Sequence, residues 1–333
     1  MRISGARRYV FSCLAAPVFA ACGGAQPPMG ALPQTTVIAA HADGYSAKHP
    51  VDLFVDDYEN QAVEVVTNGG AATSLEGQLQ APGWNNTGSI TVDLSSQPAS
   101  NWVDTHGNLY VPTFNGSTGE VNEYTPAGSL KFTYSSNVIF PGAVTTDANG
   151  DVFEADEFRG VNEYHQGSNT VVATCPQLGG GQRGVAVDAH GDVFASYSIS
   201  GSSGAVVEYG GGLAGCSETV LGVPLGVPGG VVLDKRSNLV VCDESNQAVD
   251  IIDPPYSEVS AHLGGDDGPF SLRYGLPGAV SINKDNTLAY VTDWDNQKVD
   301  VVTYPAGGAF AQLGSDSGLR FPTGAVDRSN YVP

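Results

Sequence analysis

Basic residues are scarce in this chain of 333 residues: Lys and Arg together number 14, against 35 Asp and Glu, for a net charge of −21. That balance argues against nucleic acid or anionic lipid headgroups as partners, since both are bound by clustered cations. Also missing is any sustained 3.6-residue apolar period beyond the N-terminus, so almost no helix is expected. The longest N-terminal apolar run, Tyr9 to Ala21, contains Pro17 and is too short to span a bilayer. No Cys-Cys or Cys-His spacing fits zinc, and there is neither a G-x-S-x-G elbow nor a Gly-rich phosphate loop. The six His include no general base beside a plausible nucleophile; His106 and His190 stand in T-H-G-N and A-H-G-D turns.

What is abundant is turn chemistry. The chain has 43 Gly and 20 Pro, which supply positive or fixed φ, and only 15% of its residues are charged. This is the composition of a loop-rich, all-β protein.

The N-terminus reads as a targeting segment, residues 1–22. Arg2, Arg7 and Arg8 precede the apolar run, which ends in F-A-A-C-G-G. Cys22 in that setting resembles the lipidated cysteine of a bacterial lipobox, with Phe19 where Leu is usual. Ordinary cleavage after a small-residue site is the alternative. Residues 23–50, rich in Pro, Ala, Gly and Thr, read as a flexible tether. Removing a segment with three Arg and no acid leaves a mature charge of about −24. The expected location is the cell envelope, anchored through Cys22 and facing the periplasm or exterior, or secreted if that cysteine is not lipidated. Three cysteines then remain. Cys242, in L-V-V-C-D, reads as a buried small hydrophobe, which leaves Cys175 and Cys216, in neighbouring repeats, as candidates for pairing.

From residue 51 one pattern recurs six times. Its clearest copies begin at Leu53 (L-F-V-D-D-Y-E-N-Q-A-V-E-V-V), Leu239 (L-V-V-C-D-E-S-N-Q-A-V-D-I-I) and Ala289 (A-Y-V-T-D-W-D-N-Q-K-V-D-V-V). Looser copies begin at Leu109, Val152 and Val193. Leading segments end at Asp104, Asp147, Asp188, Asp234, Asn283 and Asp327, 41 to 49 residues apart. A period in the forties marks blades of four antiparallel strands. The first hairpin lacks a leader and the last leader lacks a hairpin. The fold expected for residues 51–333 is therefore a six-bladed β-propeller with Velcro closure, its C-terminal strand completing the first blade.

The leader G-V-A-V-D-A-H-G-D, with the aromatic-valine strand, D-x-x-N turn and apolar strand that follow, resembles the NHL repeat and the wider group of six-bladed propellers that includes gluconolactonase-like and strictosidine-synthase-like proteins. The resemblance implies the propeller fold over most of residues 51–333. It also implies a ligand face on the edge bearing the b→c loops and d→a crossings. In gluconolactonase-like relatives a divalent metal lies in the channel. Here the corresponding Pro is followed by Gly142, Gly229 or Gly278, and no Glu-x-Pro opener precedes Leu53, so that metal triad is not visible.

Strand order sends several unusual residues to that edge. Asp57, Asp243 and Asp293 each precede an Asn-Gln pair in a b→c loop; a carboxylate ring for Ca²⁺ or a polyol is one reading, and Asx-type turn bonding, favoured by the repetition, is the other. Tyr58, Phe114, Phe158, Tyr197 and Trp294 offer an aromatic platform, or simply cover strand ends. Arg159 lies in a b→c loop, and Arg183, Arg273 and Arg320 in d→a crossings. Arg183 breaks the repeat where other copies have Ala99, Gly142, Gly229, Gly278 or Pro322, placing a guanidinium near the channel mouth. It either meets a ligand carboxylate or phosphate or, like its neighbours, pairs with Asp156, Glu157, Asp266 or Asp267. The sequence thus favours a binding scaffold without a catalytic or metal constellation, for a protein, peptide or saccharide. No cofactor is expected beyond the Ca²⁺ option, and the membrane is engaged only through the anchor. The competing expectation is a metal-dependent hydrolase or lactonase.

Overall fold

The computed structural model describes residues 52–59, 62–67, 97–126, 129–200, 203–264, 278–313 and 319–327. The chain divides into two compact units, Met1–Ala39 and Ala40–Pro333, and every described residue belongs to the second. The targeting segment, Cys22, the tether and Arg273 lie outside the described residues.

Among those residues all regular structure is β. Sheet 1 begins with β1 (Asp52–Asp57) and β2 (Ala62–Thr67). In sheet 2, β3 (Gln97–Pro98) and β4 (Trp102–Val103) both pair with β5 (Leu109–Phe114), followed by β6 (Gly119–Tyr124) and β7 (Leu130–Tyr134). Sheet 3 is β8 (Pro141–Thr146), β9 (Val152–Asp156), β10 (Gly160–Tyr164) and β11 (Val171–Cys175). Sheet 4 is β12 (Gly181–Val187), β13 (Val193–Ser200), β14 (Ser203–Tyr209) and β15 (Glu218–Val220). Sheet 5 is β16 (Pro228–Leu233), β17 (Leu239–Asp243), β18 (Ala248–Ile252) and β19 (Ala261–Gly264). Sheet 6 is β20 (Val280–Ile282), β21 (Leu288–Asp293), β22 (Lys298–Thr303) and β23 (Ala309–Leu313). The last strand, β24 (Pro322–Asp327), returns to sheet 1 and pairs antiparallel with β1, Leu53 opposite Asp327 and Phe54 opposite Val326.

The expectation of six equal four-stranded units is corrected here. Five sheets have all four positions filled; the described residues give sheet 1 only three strands, in the order β2-β1-β24.

The apolar runs of the inner strands follow from burial on both sheet faces. Every residue of β17 and β18 is buried, as is every residue of β21. One apolar cluster fills each gap between consecutive sheets. Phe54, Leu109 and Val111 lie between sheets 1 and 2, and Tyr110, Val144 and Tyr164 between sheets 2 and 3. Leu53, Val55, Tyr290 and Val301 lie between sheets 6 and 1. The innermost strands also touch in succession, β4 with β8, β8 with β12, β12 with β16, β16 with β20, and β24 with both β20 and β4. Their approach is close enough to require glycine. A Cβ on Gly142 would lie 2.7 Å from the Arg183 carbonyl oxygen, and one on Gly229 would lie 2.7 Å from that of Gly278. This packing demand accounts for the Pro-Gly steps of the leaders.

A disulfide joins Cys175, at the end of β11, to Cys216, just before β15, with Cα atoms 5.4 Å apart. It ties sheet 3 to sheet 4 at their outer margins. Cys242 is buried and free.

Candidate functional site

The antiparallel registers put the second-to-third-strand loops and the crossings between sheets on one edge, here called the loop edge. The tight turns form the opposite, turn edge. Asp57, Asp156, Asp243 and Asp293 stand at the loop-edge ends of their strands, all fully buried. Their carboxylates are engaged by their own chain. Asp156 Oδ1 accepts the N–H groups of Phe158 (2.8 Å) and Arg159 (2.9 Å), while Oδ2 accepts those of Ile139 (2.5 Å) and Phe140 (2.8 Å). Asp243 does the same with Asn246 in its loop and with Gly226 (2.6 Å) and Val227 (3.2 Å) in the incoming crossing. Asp57 Oδ2 accepts the N–H of Arg320 at 2.6 Å, and Asp293 holds Asn296 and lies 3.6 Å from Lys298 Nζ. Asp156, Asp243 and Asp293 thus pin their loops, and Asp57, Asp156 and Asp243 pin the incoming crossing, which satisfies buried carboxylates largely through backbone donors. The repetition of Asp in the sequence carried this signal.

The aromatics form two groups across sheet seams. Trp294 packs against Tyr58 (ring centroids 5.0 Å apart) and Phe321 (4.8 Å), joining sheets 6 and 1. Phe140 packs against Phe114 (4.4 Å) and Phe158 (6.0 Å), joining sheets 2 and 3. Phe140 and Phe321 went unnoticed in the sequence, although each immediately precedes a crossing proline. Tyr197 is buried at 5% exposure and belongs to the core, whereas Phe158 is 59% exposed.

The arginines do not share an environment. Arg183 Nη1 contacts both carboxylate oxygens of Glu244, at 3.0 and 3.2 Å. The sequence offered Asp156, Glu157, Asp266 or Asp267 as its partner; the structure selects Glu244, in the sheet 5 loop, because β12 lies directly beside that sheet. Glu244 also accepts the Gly278 N–H at 3.2 Å. Burial pushes the Glu244 carboxyl above its ordinary range, partly offset by the Arg183 charge. Arg320 makes an exposed 3.4 Å contact with Glu59. Arg159 is exposed, and its guanidinium has no partner among the described residues.

Two buried acids escaped the sequence reading. Glu154 is fully buried in β9, where the corresponding positions hold Val55, Val111, Ala195, Val241 and Val291. Its Oε2 accepts from Asn162 Nδ2 at 2.9 Å, and its buried Oε1 has no partner among the described residues. Asp56, in β1, accepts from Asn101 Nδ2 at 3.0 Å. Burial holds both carboxyls well above the usual range. Among the described residues no three His, Cys, Asp or Glu side chains converge as metal ligands.

Sheets arranged in succession, packed face to face and touching through their innermost strands, are the plan of one known architecture, and solved structures match it. A chain of the nidogen–laminin complex aligns with a TM-score of 0.64 and 13% identity, covering 85% of this chain and 100% of that one. A Bacteroides caccae protein of unknown function aligns with a TM-score of 0.61 and 10% identity, covering 83% and 98%. The fold is a β-propeller. A streptogramin B lyase aligns less well, with a TM-score of 0.46, 10% identity, and coverage of 79% and 73%. At such identities the propeller likeness is one of fold alone. No family model matches the chain, and no curated protein matches its sequence.

Proposed function

We propose that this propeller is an exported binding scaffold that engages a protein, peptide or saccharide on its loop edge. The carrying observation is the company of side chains there. Phe158 and Arg159 are exposed side by side, Tyr58 and Trp294 are half-buried, and Arg183 lies at the inner margin. Aromatic residues and arginine are the types that dominate binding energy at interfaces. The Asp carboxylates serve as struts for that edge, given their backbone partners.

In this reading the sheets are blades of an NHL-like propeller, and the pairing of β24 with β1 closes the ring. The Cys175–Cys216 disulfide favours an oxidising compartment, in keeping with a processed N-terminus and an anchor at Cys22. The nidogen–laminin structure is a complex of two proteins, which favours a protein or peptide over a saccharide. The test is recovery of partners by the full chain in parallel with its Phe158→Ala and Trp294→Ala variants. At least one partner should bind the wild type and fail to bind a variant. Recovery of every partner by both variants would refute the face assignment.

A further inference from the structure

Sheet 4 departs from the repeat at the loop edge. In sheets 1, 3 and 5 a proline of the innermost strand lies opposite the strut aspartate: Pro322 by Asp57, Pro141 by Asp156, Pro228 by Asp243. In sheet 4 the same register holds Gln182 opposite Tyr197. The strut carboxylate is therefore missing from the seam between sheets 3 and 4. Gln182 is fully buried, and its amide faces the buried Tyr209 hydroxyl.

The crossing into this strand is Gly179, Gly180 and Gly181. A side chain at Gly180 would collide with the Ser198 carbonyl, and one at Gly181 with the Glu157 side chain. This strip of bare backbone is therefore pressed between the loop of sheet 3 and the end of β13. Two of the largest exposed apolar side chains flank it: Phe158, next to Glu157, and Ile199, next to Ser198, at 59% and 56% exposure. Arg159, whose guanidinium has no partner among the described residues, stands beside Phe158.

We infer that the seam formed by Phe158, Arg159, Ile199 and Gly179 docks an extended peptide presenting apolar side chains and one carboxylate. The inference rests on the binding-scaffold reading of the loop edge and names the partner class. Gly179 is exposed and a Cβ there would meet nothing, so another backbone can approach it closely. An aliphatic and an aromatic side chain on either side suit the alternating side chains of an extended peptide better than the faces of a sugar. An unpaired guanidinium selects a carboxylate by charge-assisted hydrogen bonds.

The probe is a random 12-residue peptide library displayed on phage and panned against the full chain. Enriched peptides should combine an Asp or Glu with apolar residues. Their affinity should fall at least tenfold in Phe158→Ala, Ile199→Ser and Arg159→Glu. It should be unchanged in Trp294→Ala, on the same edge, and in Lys235→Glu/Arg236→Glu, on the turn edge. Phe158 and Ile199 are largely exposed, so thermal unfolding of these variants should match the wild type. Enrichment lost only in Trp294→Ala would overturn the seam and leave the loop edge standing. Enrichment lost only in Lys235→Glu/Arg236→Glu would overturn both. A library that yields no peptide, or none with an acidic residue, contradicts the seam as well.

Discussion

Arg183 and Glu244 form an ion pair, Nη1 to Oε2 at 3.0 Å, that bridges sheets 4 and 5, with side chains only 17% and 8% exposed. A pair so enclosed is unlike a surface salt bridge, because removing one member strands the other charge away from water.

Arg183→Ala is accordingly expected to cost about 1.5–3 kcal/mol at neutral pH, the range for a charge-assisted hydrogen bond left unmade. The Glu244 carboxyl is already raised by burial, and loss of the arginine raises it further. A raised carboxyl favours the folded state below its unfolded value, and that contribution disappears as pH rises through the folded value. The deficit of the variant should therefore shrink as pH falls into the carboxylate range. Urea denaturation of both proteins across pH checks the sign; a deficit that grows on acidification would be incompatible with it.

Glu154 gives a second pH signature. Its carboxyl stands well above the ordinary value of 4.5 through burial, reinforced by the nearby Asp156 charge and opposed by the Asn162 amide. Its protonated form favours folding fully below that ordinary value, and the benefit is lost as pH rises through the folded value. Glu154→Gln removes the ionisation. Stability should rise by about 1–3 kcal/mol at pH 8 and change little at pH 4. Equal effects at both pH values in thermal unfolding would show that the carboxyl does not change charge there.

How far the sequence disclosed these features depended on whether they repeat. The leaders and hairpins gave strand order and loop faces because burial on both sides of a sheet writes continuous apolar runs such as L-V-V-C-D. The strut role of Asp57, Asp243 and Asp293 was legible for the same reason. Unrepeated contacts were not. Glu244 reads as an ordinary loop acid until β12 is placed beside sheet 5, and Glu154 shows no sign in the sequence that its Oε1 is sealed from water. The Gln182–Tyr197 exchange emerges only once strand register is fixed. Arg159 was singled out by its edge; that its guanidinium has no partner among the described residues needed the three-dimensional arrangement.

The disulfide between Cys175 and Cys216 links sheets 3 and 4 outside their backbone ladders. Replacing both cysteines by serine should lower stability by about 2–4 kcal/mol, because the unfolded chain regains the freedom of the intervening loop. Denaturation with and without reductant checks this. Reductant should destabilise the wild type and leave the double variant unaffected.

Asp243→Ala removes the acceptor for four donors, the N–H groups of Gly226, Val227 and Asn246 and the Asn246 amide. A loss of roughly 2–4 kcal/mol is expected from buried donors left unpaired. Since that carboxylate is committed to its own backbone, Ca²⁺ should produce no saturable rise in the unfolding temperature of the wild type. A saturable rise abolished in Asp243→Ala would instead make it a metal ligand.

The central claim is that partners meet the loop edge, and site-specific photocrosslinking in intact cells tests it most directly. A photoreactive phenylalanine is placed at Phe158 or Trp294 on the loop edge, and at Lys235 or His190 on the turn edge. The account predicts specific adducts from Phe158 and Trp294 and none from Lys235 or His190. Adducts formed only from Lys235 or His190 would contradict it.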